Sequence, residues 1–284
     1  MEGGIRQPDH PMTKECRVGT QLHGQGVKRS FDDSKQFSRL FTSRVQGISI
    51  ASLYFVEVFS GTAGLTAEVR RLGCQRSTGI GAHVTKQVKA PVKRLDLSDE
   101  AGQTLLWRIL KDPRVFAAHL GPHVGHLPGP GRSVKSFGLH PLPLRSDKFP
   151  DGLANLPPRD QAHVDTANKL YKFSGEILAY CTKHGIICSL ENPARSHMWN
   201  MPFLKSPLQG LSSQLQEVLF HHCMLGSKRR KRTKLLVNHC CFSHFRRECE
   251  NAHEHDAWGT LPQGGQLLMK WSTHMGYVES GQPV

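Results

Sequence analysis

The run Leu53-Tyr54-Phe55-Val56-Glu57-Val58-Phe59 is apolar and aromatic almost throughout, and it stops at Ser60-Gly61 before a segment with helical spacing. A strand that is apolar at successive rather than alternate positions is buried on both faces, which already points to a parallel sheet covered by helices. In the segment that follows, Leu65, Val69 and Leu72 share one helical face and Gly73 is placed to end the helix. The rhythm then repeats. A weaker strand is expected near Cys74 to Ile80 and a better one over Val92 to Leu97. Ser98 is placed to cap a helix with Asp99 and Glu100 in its first turn and Leu105, Leu106, Ile109 and Leu110 as its buried face. Arg114 to Leu120 reads as the next strand. Asp160 is placed to cap a long helix that turns Val164, Ala167, Leu170, Tyr171, Ile177, Leu178 and Cys181 inward, with Gly185 closing it ahead of a strand over Ile186 to Leu190. This alternation predicts an α/β fold, a mostly parallel sheet with helices on both faces.

Three regions are expected: a flexible basic arm over residues 1–50, a folded domain over 51–262 and a weakly structured tail over 263–284. Within the tail, Leu267, Leu268, Met269 and Trp271 are candidates for an edge strand. The Gly- and Pro-rich stretch 121–158 inside the domain is too long for an ordinary connection and is expected to be functional or disordered. No apolar run reaches the length of a bilayer crossing and the first residues lack the apolar core of a secretory signal. The expectation is a protein without membrane contact, nuclear or cytoplasmic. Its 37 Lys and Arg outnumber 23 Asp and Glu, for a formal charge of +14, which favours a polyanionic partner, nucleic acid first. The eight cysteines show no disulfide framework.

The turn Phe59-Ser60-Gly61-Thr62-Ala63-Gly64-Leu65 joins the first strand to the first helix. Gly61 allows a sharp bend and close approach of a ligand to the main chain, and the N–H groups that open the helix are expected to face that ligand. In a doubly wound sheet this is the switch-point crevice. The stretch Phe55-Val56-Glu57-Val58-Phe59-Ser60-Gly61-Thr62-Ala63-Gly64-Leu65, closed by Gly73, resembles the S-adenosylmethionine loop of cytosine-5 DNA methyltransferases. The resemblance implies a Rossmann-like methyltransferase fold, with Phe59, Ser60, Gly61, Thr62, Gly64 and Leu65 around the cofactor and Asp96, in Leu95-Asp96-Leu97, approaching its adenine. Ala63 stands where the family usually keeps another glycine. Gly79-Ile80-Gly81-Ala82-His83 offers no carboxylate where the family holds the ribose, so weak cofactor affinity is expected.

Methylation of carbon 5 of cytosine requires a nucleophile to add at carbon 6 so that carbon 5 can attack the methyl group, and the family supplies a thiolate after its fourth strand. The corresponding His119-Leu120-Gly121-Pro122-His123-Val124-Gly125 puts Val124 in that place, and no cysteine lies between Cys74 and Cys181. By the same resemblance Glu191 and Asn192, in Glu191-Asn192-Pro193, correspond to the family's cytosine-contacting motif, and His123 is the residue left in the loop to serve as a base. Gly226-Ser227-Lys228-Arg229-Arg230-Lys231-Arg232-Thr233 aligns Arg230 and Arg232 with the family's arginines that meet the pyrimidine or its phosphates. The resemblance spans about residues 53–260.

The expected function is therefore that of a catalytically impaired DNA cytosine methyltransferase-like protein. Two alternatives stand beside it: an active S-adenosylmethionine-dependent methyltransferase on another substrate, and a basic nucleic-acid-binding module with a vestigial cofactor cleft. His239, Cys240, Cys241, Cys249, His253 and His255 crowd together, with Cys223 nearby. A tetrahedral zinc site on Cys249, His253 and His255 is one reading. Adjacent Cys240 and Cys241 would point to opposite sides of an extended chain, so buried thiols among surface histidines is the favoured one, with no metal ligand assigned.

Overall fold

The computed structural model describes residues 39–82, 87–122 and 144–256. Seven strands form one sheet: β1 Tyr54–Val58, β2 Thr78–Gly81, β3 Val92–Arg94, β4 Val115–Leu120, β5 Ile187–Pro193, β6 Gln216–His221 and β7 Arg232–Val237. Their order is β3-β2-β1-β4-β5-β7-β6. β7 runs antiparallel to both of its neighbours, while the pairs from β3 across to β5 are all parallel. Besides a helical stretch over residues 39–45, the α-helices are α1 Gly64–Arg71, α2 Glu100–Leu110, α3 Pro158–Lys183 and the single turn α4 Pro202–Lys205.

From β1 the chain steps outward to β2 and β3, then returns past β1 to β4 and β5. Right-handed crossovers place α1 on one face and α2 and α3 on the other. The packing agrees, because Trp107 of α2 lies edge-on against Phe173 and Tyr180 of α3, at 5.4 and 5.3 Å between ring centres. Val56, Val58, Ala118, Leu120, Cys188 and Leu190 project to this second face and join Leu106, Leu110, Tyr171, Ile177 and Leu178 in the main core. The expected fold class holds: the chain is α/β, Rossmann-like, mostly parallel, with helices on both faces.

Several local expectations shift. The N-cap of α2 is Asp99, whose side chain accepts from Gly102 N at 2.6 Å, and not Ser98, which bonds back to Asp96. Leu105 and Leu72 are exposed, and the buried stripe of α2 is Gly102, Leu106 and Leu110. Gly102 fits there because a Cβ would fall 1.7 Å from the Asp96 carbonyl oxygen. α3 starts at Pro158, two residues before Asp160, with Pro157 as its cap, as suits a proline fixed near the helical φ. Residues 39–45, within the stretch expected to be a flexible arm, are helical. This turn docks: Leu40 lies against Gly185, and Arg44 donates to the carbonyls of Val115 and Asp112 at 2.5 and 2.8 Å. Residues 1–38 and the tail beyond 256 lie outside the described residues, as does most of the long stretch, over 123–143.

Candidate functional site

Register builds the site. Val58 pairs with Leu120, and Leu120 with Leu190, so these three residues form one row across β1, β4 and β5. Whatever follows them emerges together: Phe59 to Gly61, Gly121-Pro122 and Glu191-Asn192 share the carboxyl rim of the sheet. The rim lies at the point where the strand order reverses, since β1 leads to β2 and β3 on one side and borders β4 on the other.

The loop after β1 is tightly wound. Phe59, Gly61 and Ala63 all have left-handed backbones, at φ of 62°, 53° and 57°. Two of them carry a Cβ, so the loop stores strain of roughly 1–2 kcal/mol per such residue. Surrounding bonds hold it in place. Ser60 N donates to Ile80 O at 2.9 Å, Ala63 N to Ser60 O at 2.7 Å, and Lys89 N to Thr62 O at 2.8 Å. Ser60, Thr62 and Ala63 are buried, and the Ser60 hydroxyl has no hydrogen-bond partner among the described residues. Gly79 on β2 allows this packing, because a Cβ there would lie 2.5 Å from Ser60 Oγ.

The first turn of α1 is already occupied. Glu57 Oε2 accepts from Thr66 N and Thr66 Oγ1, both at 2.6 Å, and Leu65 N also bonds this carboxylate. Burial pushes the Glu57 carboxyl up, and the Thr66 and Leu65 bonds partly counter that rise. The expectation that the helix-opening N–H groups face a ligand is thereby corrected: Leu65 and Thr66 serve the strand's own carboxylate. Phe59 to Gly61 is what remains to meet a ligand.

Glu57 belongs to a polar file. It pairs with His119, and His119 with Ser189, while Glu191 follows two positions after Ser189 on the same side of β5. This side is opposite the main core. His119 is fully enclosed, its Nδ1 is 2.8 Å from Ser189 Oγ, and burial lowers its pKa from 6.5 to about 4, so the ring is neutral at physiological pH. Gly121 lies between two of these groups: a Cβ there would be 3.7 Å from both Glu191 Oε2 and His119 Nε2. Sequence reading missed His119, Ser189 and the role of Glu57. A signal was present, because Glu57, His119, Ser189 and Glu191 are polar exceptions at every second position of otherwise apolar strands.

Glu191 to Pro193 belong to β5 and pair with Leu235, Lys234 and Thr233 of β7, so the strand expected over Ile186 to Leu190 runs three residues further. Asn192 is buried; its amide nitrogen donates to Pro122 O at 3.0 Å, and its Oδ1 lacks a partner among the described residues. Glu191 Oε1 receives Lys231 Nζ at 3.3 Å, with both side chains largely covered. Lys231, between the two expected arginines, is thus the cation that reaches the rim. Arg230 instead donates to Cys249 O at 3.4 Å, and Arg232 bonds Glu248 at 2.9 Å. Trp199 supports β5 from below, its indole N–H on Pro193 O at 2.9 Å.

Asp96 is exposed beyond the end of β3 and accepts from Ser98 N and Ser98 Oγ at 2.9 and 2.7 Å. His123 and Val124 lie outside the described residues. A groove of about 520 Å³ between α2 and the sheet is lined by Tyr54, Lys93, Arg108 and Arg114 among others. Tyr54 and Arg114 stand where β1 and β4 begin, at the opposite end of those strands from the rim.

Comparison with known proteins yields little. No family model matches the chain, and no curated protein matches it. Among solved structures, the Dnmt2 methyltransferase of S. pombe is similar to it at 13% identity and a TM-score of 0.36. The match covers 66% of this chain and 51% of that one, so the chain spans about half the length of its structural neighbour.

Proposed function

We propose that the chain is a cytosine-5 methyltransferase-like protein that receives S-adenosylmethionine against the Phe59–Gly61 turn and nucleic acid, DNA first, across the Glu191–Lys231 side of the rim. On this reading the thiolate step is lost because Val124 stands in the nucleophile's place. The observation that carries it is the common row of Val58, Leu120 and Leu190, which gathers the glycine turn and Glu191-Asn192 at one switch-point rim.

The residues fit the cofactor in part. The partnerless Ser60 hydroxyl and the open backbone at Gly61 suit a polar ligand at the end of β1. At the end of β2, Gly79 to Ala82 carry no carboxylate for a ribose, and Asp96 bonds Ser98. When bound, the cofactor would supply an electrophilic methyl group. The chain's own contribution is to hold it at the turn, to keep a neutral His119 behind Gly121, and to present Glu191 to a base while Asn192 fastens the Pro122 carbonyl.

Calorimetric titration of S-adenosylmethionine, run beside a radiolabelled methyl-transfer assay on DNA and RNA, tests this reading. The expected result is binding in the high micromolar range or weaker, abolished by Gly61→Val, with no transfer by the unaltered chain. Methyl transfer to cytosine that disappears in Glu191→Gln would overturn the claim of impairment. No binding at millimolar cofactor would overturn the cofactor assignment and leave the basic nucleic-acid module as the reading.

A further inference from the structure

Away from the rim, four candidate metal ligands from two stretches of chain converge. Cys223 lies in the turn His222–Leu225 that follows β6; Cys249, His253 and His255 come from the irregular segment after β7. Their ligand atoms all fall within 4.8 Å of one another. Cys249 Sγ is 3.4 Å from His255 Nε2 and 3.9 Å from His253 Nε2. Zinc–sulfur and zinc–imidazole bonds at tetrahedral angles place sulfur and nitrogen about 3.6 Å apart, and the two observed distances bracket that edge. His239, Cys240 and Cys241, which crowd the same stretch of sequence, are not in the cluster.

The contacts converge on one sulfur: Cys249 Sγ is within reach of two ring nitrogens and hydrogen-bonds the Cys223 thiol. It also accepts from Asn251 N at 3.3 Å, across a turn where Asn251 takes a left-handed φ of 62°. A backbone N–H aimed at the sulfur supports a thiolate, as outer hydrogen bonds support metal ligands generally. The segment also needs a fastening. Of residues 248–256 only Cys249 is buried, so apolar packing contributes almost nothing to ordering them.

We propose that Cys223, Cys249, His253 and His255 form a structural zinc site. Two thiolates and two neutral imidazoles complete a tetrahedron with no position left for water or substrate, which makes the site a fastening and not a reaction centre. Soft sulfur with imidazole selects zinc over magnesium or calcium. The site lies beside the basic segment: Cys249 O receives Arg230, and Asp256 N donates to Lys228 O at 2.9 Å. Zinc would therefore lock both ends of the stretch that delivers Lys231 to Glu191. The inference does not depend on the cofactor assignment.

The test uses the full chain, purified under reducing conditions without chelator. Plasma mass spectrometry should find about one zinc per chain. Cobalt exchanged into the unaltered protein should give the visible bands of tetrahedral coordination together with thiolate charge-transfer absorption. Cys249→Ser and His255→Ala should bring bound zinc to background, whereas Cys241→Ser should leave it unchanged. The cobalt spectrum is read on the unaltered chain, so misfolding of a variant cannot mask the result. A folded, metal-free protein with no cobalt spectrum, or a Cys223–Cys249 disulfide in the reduced preparation, overturns the proposal.

Discussion

Glu57 on β1 and Glu191 on β5 flank the same strand, β4, near its carboxyl end, yet their surroundings differ in kind. Glu57 is buried with Thr66 N and Oγ1 on one of its oxygens. Glu191 gives one oxygen to Lys231 and keeps the other beside Gly121. The first carboxylate holds a helix onto a strand, whereas the second is paired across to a lysine beside Gly121. Both are glutamates on the same side of the sheet, so it is the partners that separate a carboxylate fastened to its own helix from one that reaches the next strand pair.

Truncation should expose this difference most strongly. Glu57→Ala strands the donors Thr66 N, Thr66 Oγ1 and Leu65 N and is expected to cost about 2–4 kcal/mol in urea unfolding, against less than ~1 kcal/mol for Glu191→Ala. Equal losses at the two positions would erase the contrast. Acid titration comes next. His119 is held below its ordinary pKa, so its contribution is fully present above pH 6.5 and is lost as pH falls toward about 4. The loss should approach about 3 kcal/mol, and His119→Gln should flatten that part of the stability curve. Glu57 acts with the opposite sign. Its raised carboxyl favours the fold at low pH, and that contribution is lost as pH rises from the ordinary glutamate range through its folded value. Glu57→Gln should therefore gain relative stability above that range.

A smaller effect is expected at the turn itself. Gly79→Ala drives a methyl group into Ser60 and should cost about 1–2 kcal/mol by thermal unfolding while displacing the Ser60 hydroxyl. The smallest change in stability, within about 0.5 kcal/mol, is expected for joint neutralisation of the exposed Lys228 and Arg229. That change should instead lower the slope of log affinity against log salt by about 1 for each phosphate that is no longer neutralised. An unchanged slope would remove this segment from the nucleic-acid side of the rim.

Much of this arrangement was legible in the residues, for reasons that also explain the rest. β1, β4, α2 and α3 announce themselves because buried parallel strands are apolar throughout and long helices repeat their stripe. Leu72 and Leu105 were misplaced because periodicity marks a face without saying how far its neighbours extend over it. The strand expected to end at Leu190 runs on to Pro193, although a proline cannot donate to a ladder. The proline is tolerated because it ends the strand, and the next bond there is made by Ala194 N to Arg232 O at 3.0 Å. The file of Glu57, His119 and Ser189 was hidden because its members are 62 and 70 residues apart and meet only through strand register. Among the Cys and His residues, Cys249, His253 and His255 stood out as near neighbours in sequence, whereas Cys223 joins them only because the chain after β7 returns beside β6, with Arg247 bridged to Phe220.

The docked turn over residues 39–45 has a practical meaning for anyone handling the molecule. Its anchors, Val115 and Gly185, stand where β4 and β5 begin, at the far edge from Gly61 and Glu191. A truncation that removes residues 39–45 would uncover Gly185 and take the Arg44 guanidinium from the Val115 and Asp112 carbonyls, so a shortened chain for any assay named above should begin ahead of Arg39.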